Sequence, residues 1–416
     1  MDFKKLIAAR FLFSFATRTQ AIVVGWTMYA LPHDPLHLGL VGLAEAVPAI
    51  SLAMVAGYVV DHGRPVRIYA GVILGSLLSA LVVLLSQWPS SGLGPELRVL
   101  ALYVSSLITG AARGFSQPSM YAIVPRLKPR GELSQASATM TTAMQLASVT
   151  GPAVGGLLYG ACGITAAAAM VCILLMVAGV AVAAIATDIP APPPEAAVSG
   201  RMAQMTSGAR FVFGHPLLLP ALSLDMFSVL FGGVTALLPI FADILKVGPM
   251  GLGTLRAAPA VGAGLMGLAL SHRLDVRARA GPLLFASVSG FGVAIVVFAL
   301  SHNFGLSLAA LAFSGAFDSV SMVIRGTAVQ LASPDAMRGR ISAVNSIFIG
   351  SSNELGEFES GVAAKWLGTV PSVLLGGAAC LVTVAIVWLL SPALRSLDLH
   401  RLEAEGRAPE DTKAEP

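Results

Sequence analysis

The stretch TDIPAPPPEAAVSGRMAQMTSGARFVFGHP, residues 187–216, is the longest polar interruption in a chain dominated by apolar runs. Its proline run cannot continue a helix, so it divides what lies on either side. Six long apolar runs precede it, at 8–31, 36–60, 66–87, 97–123, 133–159 and 163–187. Six more follow, at 216–242, 249–271, 281–301, 304–331, 341–366 and 370–391. A helix of roughly 20 apolar residues crosses a hydrocarbon layer of about 30 Å.

Composition agrees with spans. Of the 416 residues 56% are hydrophobic and 12% charged, with a mean hydropathy of +0.80; soluble domains carry about 25% charged residues. A membrane β-barrel would instead show short alternating segments, and in lipid only helices or closed barrels satisfy every backbone group. The fold class is therefore an all-α polytopic membrane protein. Its divisions are a six-helix bundle over 1–187, a linker over 188–215, a second bundle over 216–391 and a charged tail over 392–416.

A net charge of +4 and a pI near 9.1 reflect where the basic residues sit, not a nucleic-acid partner. With the N-terminus in the cytoplasm, nineteen Lys and Arg residues, Arg10 among them, fall on the inner side. Arg98, Lys246 and Lys365 fall outside, and Arg18, Arg113, Arg256 and Arg325 lie within spans. That imbalance predicts both termini in the cytoplasm. The start MDFKK runs into a span without a small-residue cleavage site, so no removable signal peptide is expected. Cys162, Cys172 and Cys380 have neither metal nor redox spacing, and the seven histidines are scattered in loops and tails. No HExxH, nucleophile–histidine constellation or P-loop is present. The sequence therefore predicts no enzyme, metal site or cofactor, and no ATP-driven mechanism.

The two halves repeat one pattern. Gly25 and Pro32 fall on Gly232 and Pro239, EAVPA (45–49) on RAAPA (256–260), and GAAR (110–113) on GAFD (315–318). Gly151 and Gly156 fall on Gly356 and Gly361. At matched positions the charges oppose: Arg18 with Asp225, Arg113 with Asp318, Glu45 with Arg256. A charge near mid-bilayer costs about 2.5–3.5 kcal/mol on insertion scales, so it faces a partner or a wet cavity. Two arrangements satisfy this, a shared central cavity with attraction between the halves, or ion pairs packed within each half. Asp318 and Arg325 share a helix face, as do Arg113 and Gln117. Glu354 and Glu357, in NELGEFESG (353–361), lie on one stripe with Gly350 and Gly361, and Glu359 points elsewhere. Phe15, Trp26, Tyr29 and Phe227 are candidate cavity aromatics, with lipid or neighbour contact as the alternative.

At this point the sequence resembles the major facilitator superfamily over nearly its whole length. GYVVDHGRPVR (57–67) is similar to that family's loop signature at Gly57, Asp61, Gly63, Arg64 and Arg67, although His62 stands where arginine is usual. The resemblance implies a gating role for Gly57, Asp61, Arg64 and Arg67. TGPAVGG (150–156) resembles the exporters' antiporter motif at Gly151, Pro152, Gly155 and Gly156. GLVGLAEAVPA (39–49), LRAAPAVGA (255–263) and MRGRISAVNS (337–346) are similar to the enterobactin-exporter-like and macrolide-exporter-like branch. That likeness implies a monomeric exporter in the bacterial inner membrane, moving a siderophore or drug-like amphiphile by alternating access with proton antiport. An importer of the same fold is the alternative, and a non-transporting receptor a more remote one. Many proton-coupled members carry an acid in the first span, where this chain has Arg18. Coupling then falls to Asp225, Asp318, Glu45, Glu354 or Glu357.

Overall fold

A computed structural model describes residues 2–186, 201–272, 276–334 and 337–407, and helices dominate it. The first half contains α1 (Asp2–Ala30), α2 (Pro35–His62), α3 (Pro65–Ser86), α4 (Pro95–Leu127) and α5 (Leu133–Ala183). The second contains α6 (Arg201–Gly214), α7 (Leu218–Gly232), α8 (Leu238–Ile244), α9 (Gly248–His272), α10 (Ala280–Leu300), α11 (Phe304–Ala332), α12 (Arg338–Leu367) and α13 (Thr369–Leu390). Two short helices close the described chain, α14 (Pro392–Arg395) and α15 (Leu399–Arg407).

Ten described segments are long and apolar enough to cross a membrane. One of them, α5, runs 51 residues and breaks at Gly163, whose φ of +81° suits a residue without Cβ; it supplies two crossings. The 30-residue α12 is long enough but carries Glu354, Glu357, Glu359 and Lys365. Together these give the twelve crossings read from the sequence.

Two elements depart from the sequence reading. The expected continuous span 216–242 ends as α7 at Gly232, passes extended Gly233 and a 3-10 turn at Thr235–Leu237, and resumes as α8 with Pro239 in its first turn. Proline is favoured at a helix start because its missing N–H is an orphan there anyway. Within the linker, the proline run lies outside the described residues, whereas Arg201–Gly214 forms α6. Six of those fourteen residues are Met, Ala or Arg, all good helix formers.

The chain folds as two compact units. The first gathers α1 to α5 with Thr235–Ala260 and Gly361–Thr369. Its core is Leu6, Phe13, Tyr69, Ile73, Ile123 and Leu175, built chiefly from α1, α3, α4 and α5. The second contains α6, α7, Val261–Ser360 and everything from Val370 onward. Leu224, Leu284, Phe285, Val320, Ile324 and Cys380 form its core, extended by Leu394, Leu397 and Leu399 of the tail. The tail is tied down by backbone: Gly281 N–H donates to the Leu397 carbonyl and Leu399 N–H to that of Arg277.

Candidate transport site

In the second unit, α7 and α11 bring three charges together. Asp225 is 7% exposed and Arg325 3%, and the guanidinium of Arg325 pairs directly with the Asp225 carboxylate. Asp318 lies seven residues before Arg325, on the same face of α11, and lines one cleft with Asp225, Ser228, Phe291, Phe317 and Ser321. Small residues on α11, Ser314, Gly315 and Ser321, are buried. The site therefore holds two carboxylates against one guanidinium, with Asp225 and Arg325 buried and Asp318 half-buried. One carboxylate is balanced by the arginine, and Asp318 is left without a salt bridge of its own among the described residues.

The first unit has its own pair. Glu45 of α2 accepts from Arg113 of α4 at 2.7 Å. Arg113 is half exposed, and Gln117, four residues on, is exposed on the same side of α4. The two resolved pairs therefore form inside each unit. Of the two arrangements open to the sequence, ion pairs packed within a unit are what Glu45–Arg113 and Asp225–Arg325 form. Glu45 and Arg256 occupy matched positions in the repeat, yet Arg256 is half-buried in α9 as part of the first unit.

Arg10 is the residue that the sequence reading passed over by placing it among the inner-side basic residues. It is 5% exposed, and donates to Ser116 Oγ at 2.6 Å and to Gln117 Oε1 at 2.8 Å. Met144 Sδ lies at 3.6 Å and the Phe13 ring at 5.9 Å. The signal was present in LIAARFLFSFA, where one arginine interrupts an apolar run eight residues before Arg18.

The antiporter-like motif is a packing seam. Gly151 faces Phe15 and Arg18 of α1, and its carbonyl accepts from Thr19 Oγ1 at 3.0 Å. Gly155 meets Thr19. A Cβ on Gly156 would stand 2.5 Å from the Pro249 carbonyl and 2.8 Å from Gly253 Cα, while a Cβ on Gly253 would run into the Pro152 carbonyl oxygen. Glycine here lets two backbones approach closely.

The same end of the first unit is closed by polar contacts. Lys365 Nζ reaches Asp34 Oδ2 at 2.7 Å and Tyr29 donates to Asp243 Oδ2 at 2.8 Å. Gly361 packs on Gly39, 2.7 Å from where a Cβ would fall. Tyr29 thus serves a helix-end contact, with Trp26 edge-on beside it at 6.2 Å. Phe15 is half-buried, and Phe227, 39% exposed, stacks with Phe231. In the loop motif, exposed Arg64 precedes the first turn of α3, Arg67 is exposed on that turn, and Gly57 has open space beside it. Asp61 ends α2, and its side chain lies outside the described residues. On α12, Glu354 is 6% exposed and Glu357 half-buried. Gly356 packs against Leu230 and Ser360 donates to the Gly233 carbonyl at 2.7 Å.

Residues 6–357 match the Major Facilitator Superfamily. The chain belongs to that superfamily. It is 27% identical over 357 residues to the enterobactin exporter EntS of Escherichia coli O139:H28, a match covering 82% of this chain and 80% of the relative. EntS of Shigella boydii serotype 18 matches to the same extent. Among solved structures, a D-xylose–proton symporter superposes with a TM-score of 0.73 at 13% identity, covering 95% of this chain and 99% of that one. A bacterial homologue of the iron transporter ferroportin, in an inward-facing state, gives 0.71 at 14% identity, covering 95% and 98%. These likenesses establish a membrane transporter fold, and superfamily members of this kind are transporters and not enzymes.

Proposed function

We propose that the protein exports a small amphiphilic molecule, siderophore-like or drug-like, across the bacterial inner membrane by alternating access coupled to proton antiport. The observation that carries this reading is the cluster of buried Asp225 and Arg325 with half-buried Asp318. Two acids share one guanidinium, so adding a proton to one of them removes a surplus negative charge from a site that disfavours it. Protonation changes what Arg325 is held by and so shifts the balance between two conformations of the carrier. The relatives named as enterobactin exporters support the outward direction.

In this reading both termini are cytoplasmic and the protein works as a monomer. The two six-span halves are the moving parts, about a site near the bilayer midplane. The end closed by Asp34–Lys365, Tyr29–Asp243 and the glycine seams is the outer gate, which must part when the substrate leaves. Glu45–Arg113, Arg18, Arg256, Glu354 and Glu357 are the remaining polar groups of the route, with Gln117, Phe15, Trp26 and Phe227 as its lining. Gly57, Asp61, Arg64 and Arg67 belong to the inner gate.

The test is transport in reconstituted vesicles of known orientation. Asp318→Asn is expected to keep the Asp225–Arg325 pair and the fold, to retain substrate exchange down a gradient, and to lose gradient-driven accumulation at least 10-fold. Undiminished pH-driven transport by this variant removes Asp318 from coupling, and accumulation in the opposite sense makes the protein an importer.

A further inference from the structure

The coupling cluster leaves one buried charge unused, in the first unit. Arg10 is surrounded by α1, α3, α4 and α5, and its hydrogen-bond partners are Ser116, Gln117 and Met144, all neutral. Among the described residues no ion pair involves it. The ring of Tyr69, wholly buried, packs edge-on against Phe13 at 6.0 Å. Its hydroxyl lies near the guanidinium and is a buried polar group without a hydrogen bond of normal geometry. A positive charge with only neutral partners and a hydroxyl that donates to no protein group thus sit side by side in a span, where an unneutralised charge is costly. The cover is thin, since Gln117 is exposed and Met144 half-buried. Turning the Gln117 carboxamide away uncovers the guanidinium, whose planar fork suits a carboxylate.

We propose that Arg10, Tyr69 and Ser116 form a subsite for the anionic oxygen of the substrate, with Gln117 as its neutral occupant when the substrate is absent. The inference rests on the transport reading and narrows the cargo of that carrier to organic anions. Arg10 donates two N–H groups to the anion, Tyr69 and Ser116 donate their hydroxyl protons, and the charge of the pocket is neutralised only while cargo is bound.

The full-length protein in lipid nanodiscs tests this by titration calorimetry, without any gradient. The probes are salicylate, salicylamide as its uncharged counterpart, and inorganic phosphate. Salicylate is expected to bind at least 10-fold more tightly than salicylamide and than phosphate. Arg10→Gln is expected to abolish that preference, and Tyr69→Phe to weaken salicylate several-fold. Gln117→Glu guards against misfolding of the arginine variant. It supplies a carboxylate permanently, so it should raise the thermal midpoint and cost salicylate at least 10-fold. Equal binding of salicylate and salicylamide, no salicylate binding, or full salicylate affinity in Gln117→Glu overturns the proposal. Tighter binding of phosphate than of salicylate does so too, by making the pocket one for free inorganic anions. Binding through Arg10 in a protein that moves nothing across vesicles leaves the subsite standing and ends the transport reading.

Discussion

Arg10 and Arg325 are the same side chain, buried to the same degree at 5% and 3% exposure, in two halves that repeat one pattern. Their surroundings are opposite. Arg325 meets Asp225, with Asp318 lining the same cleft, whereas Arg10 meets a serine, an amide and a thioether. The charge balance around the buried arginine therefore differs between the two units. In the proposals above, the extra carboxylate of the second unit takes the proton and the guanidinium of Arg10 in the first takes the anion. The packing seams differ in the same manner. In the first unit α2 and α4 touch where Gly110 meets the Glu45 carbonyl, and in the second α9 and α11 touch where Gly262 meets the Ala312 carbonyl. The seam is equivalent, but its glycine sits on the later helix in one half and on the earlier helix in the other.

The sharpest way to break this contrast is to remove one charge from each unit. Asp225→Asn strips Arg325 of its direct partner, and breaking a buried pair from one side costs roughly 3–5 kcal/mol. Arg10→Gln leaves no charge unpaired and should cost about 1–3 kcal/mol through hydrogen-bonding groups left unmet. Thermal melting in nanodiscs separates them, and Asp225→Asn combined with Arg325→Gln should recover the folded protein without recovering transport. Equal losses in the two single variants would end the distinction.

Next in size are the seams. Gly110→Ala and Gly262→Ala each drive a methyl into a backbone carbonyl that cannot retreat, so each should lose about 1–3 kcal/mol, as overpacked cores do. The same substitution at Gly57, which has open space beside it, is the control and should leave the melting temperature nearly unchanged.

A smaller difference lies where each half begins. The carboxylate of Asp2 is tied to Lys5 and accepts from Ala186 N–H. His215 instead caps α7, its Nδ1 accepting from the Leu217 and Leu218 N–H groups at 3.2 and 3.3 Å. Only a neutral imidazole can accept there, and burial holds His215 below its usual range. A depressed histidine contributes stability above its unfolded value, about 6.5, and loses it as pH falls through the folded value. His215→Ala should cost about 0.5–2 kcal/mol at pH 8, as lost caps do, and less at pH 5. Asp2→Ala should show no such change between those pH values.

The smallest effect belongs to the exposed Asp34–Lys365 pair. Hydrogen bonding from Lys365 holds the Asp34 carboxyl below its ordinary value, so the pair forms above about pH 4 and is lost only as pH falls further. Lys365→Met should change stability by less than about 1 kcal/mol, as surface pairs do. Transport rate in vesicles is the more sensitive measure, because the pair must open in each cycle of the proposed gate.

Much of this was readable from the chain. The apolar runs and the family motifs gave an all-helical membrane fold of twelve crossings, because apolar length and backbone satisfaction leave a membrane protein few alternatives. Charges inside spans were equally visible, and Asp225, Asp318 and Arg325 were named on the cost of burying them. Their partners were not visible. Glu45 finds Arg113 on α4 and Asp225 finds Arg325 on α11, contacts between helices far apart in sequence. Arg10 was missed because a basic residue near the start of a span has the same pattern whether it reaches for water or turns inward.

The sequence by itself determined the number of crossings and the superfamily, since these follow from local hydrophobicity and from motifs short enough to be read along one strand of chain. Tertiary structure alone decided which charges meet, where span seven breaks, and that Arg10 is left among neutral neighbours. Helix rotation and close backbone approach set those outcomes, and both depend on which small residues face which helix across the bundle.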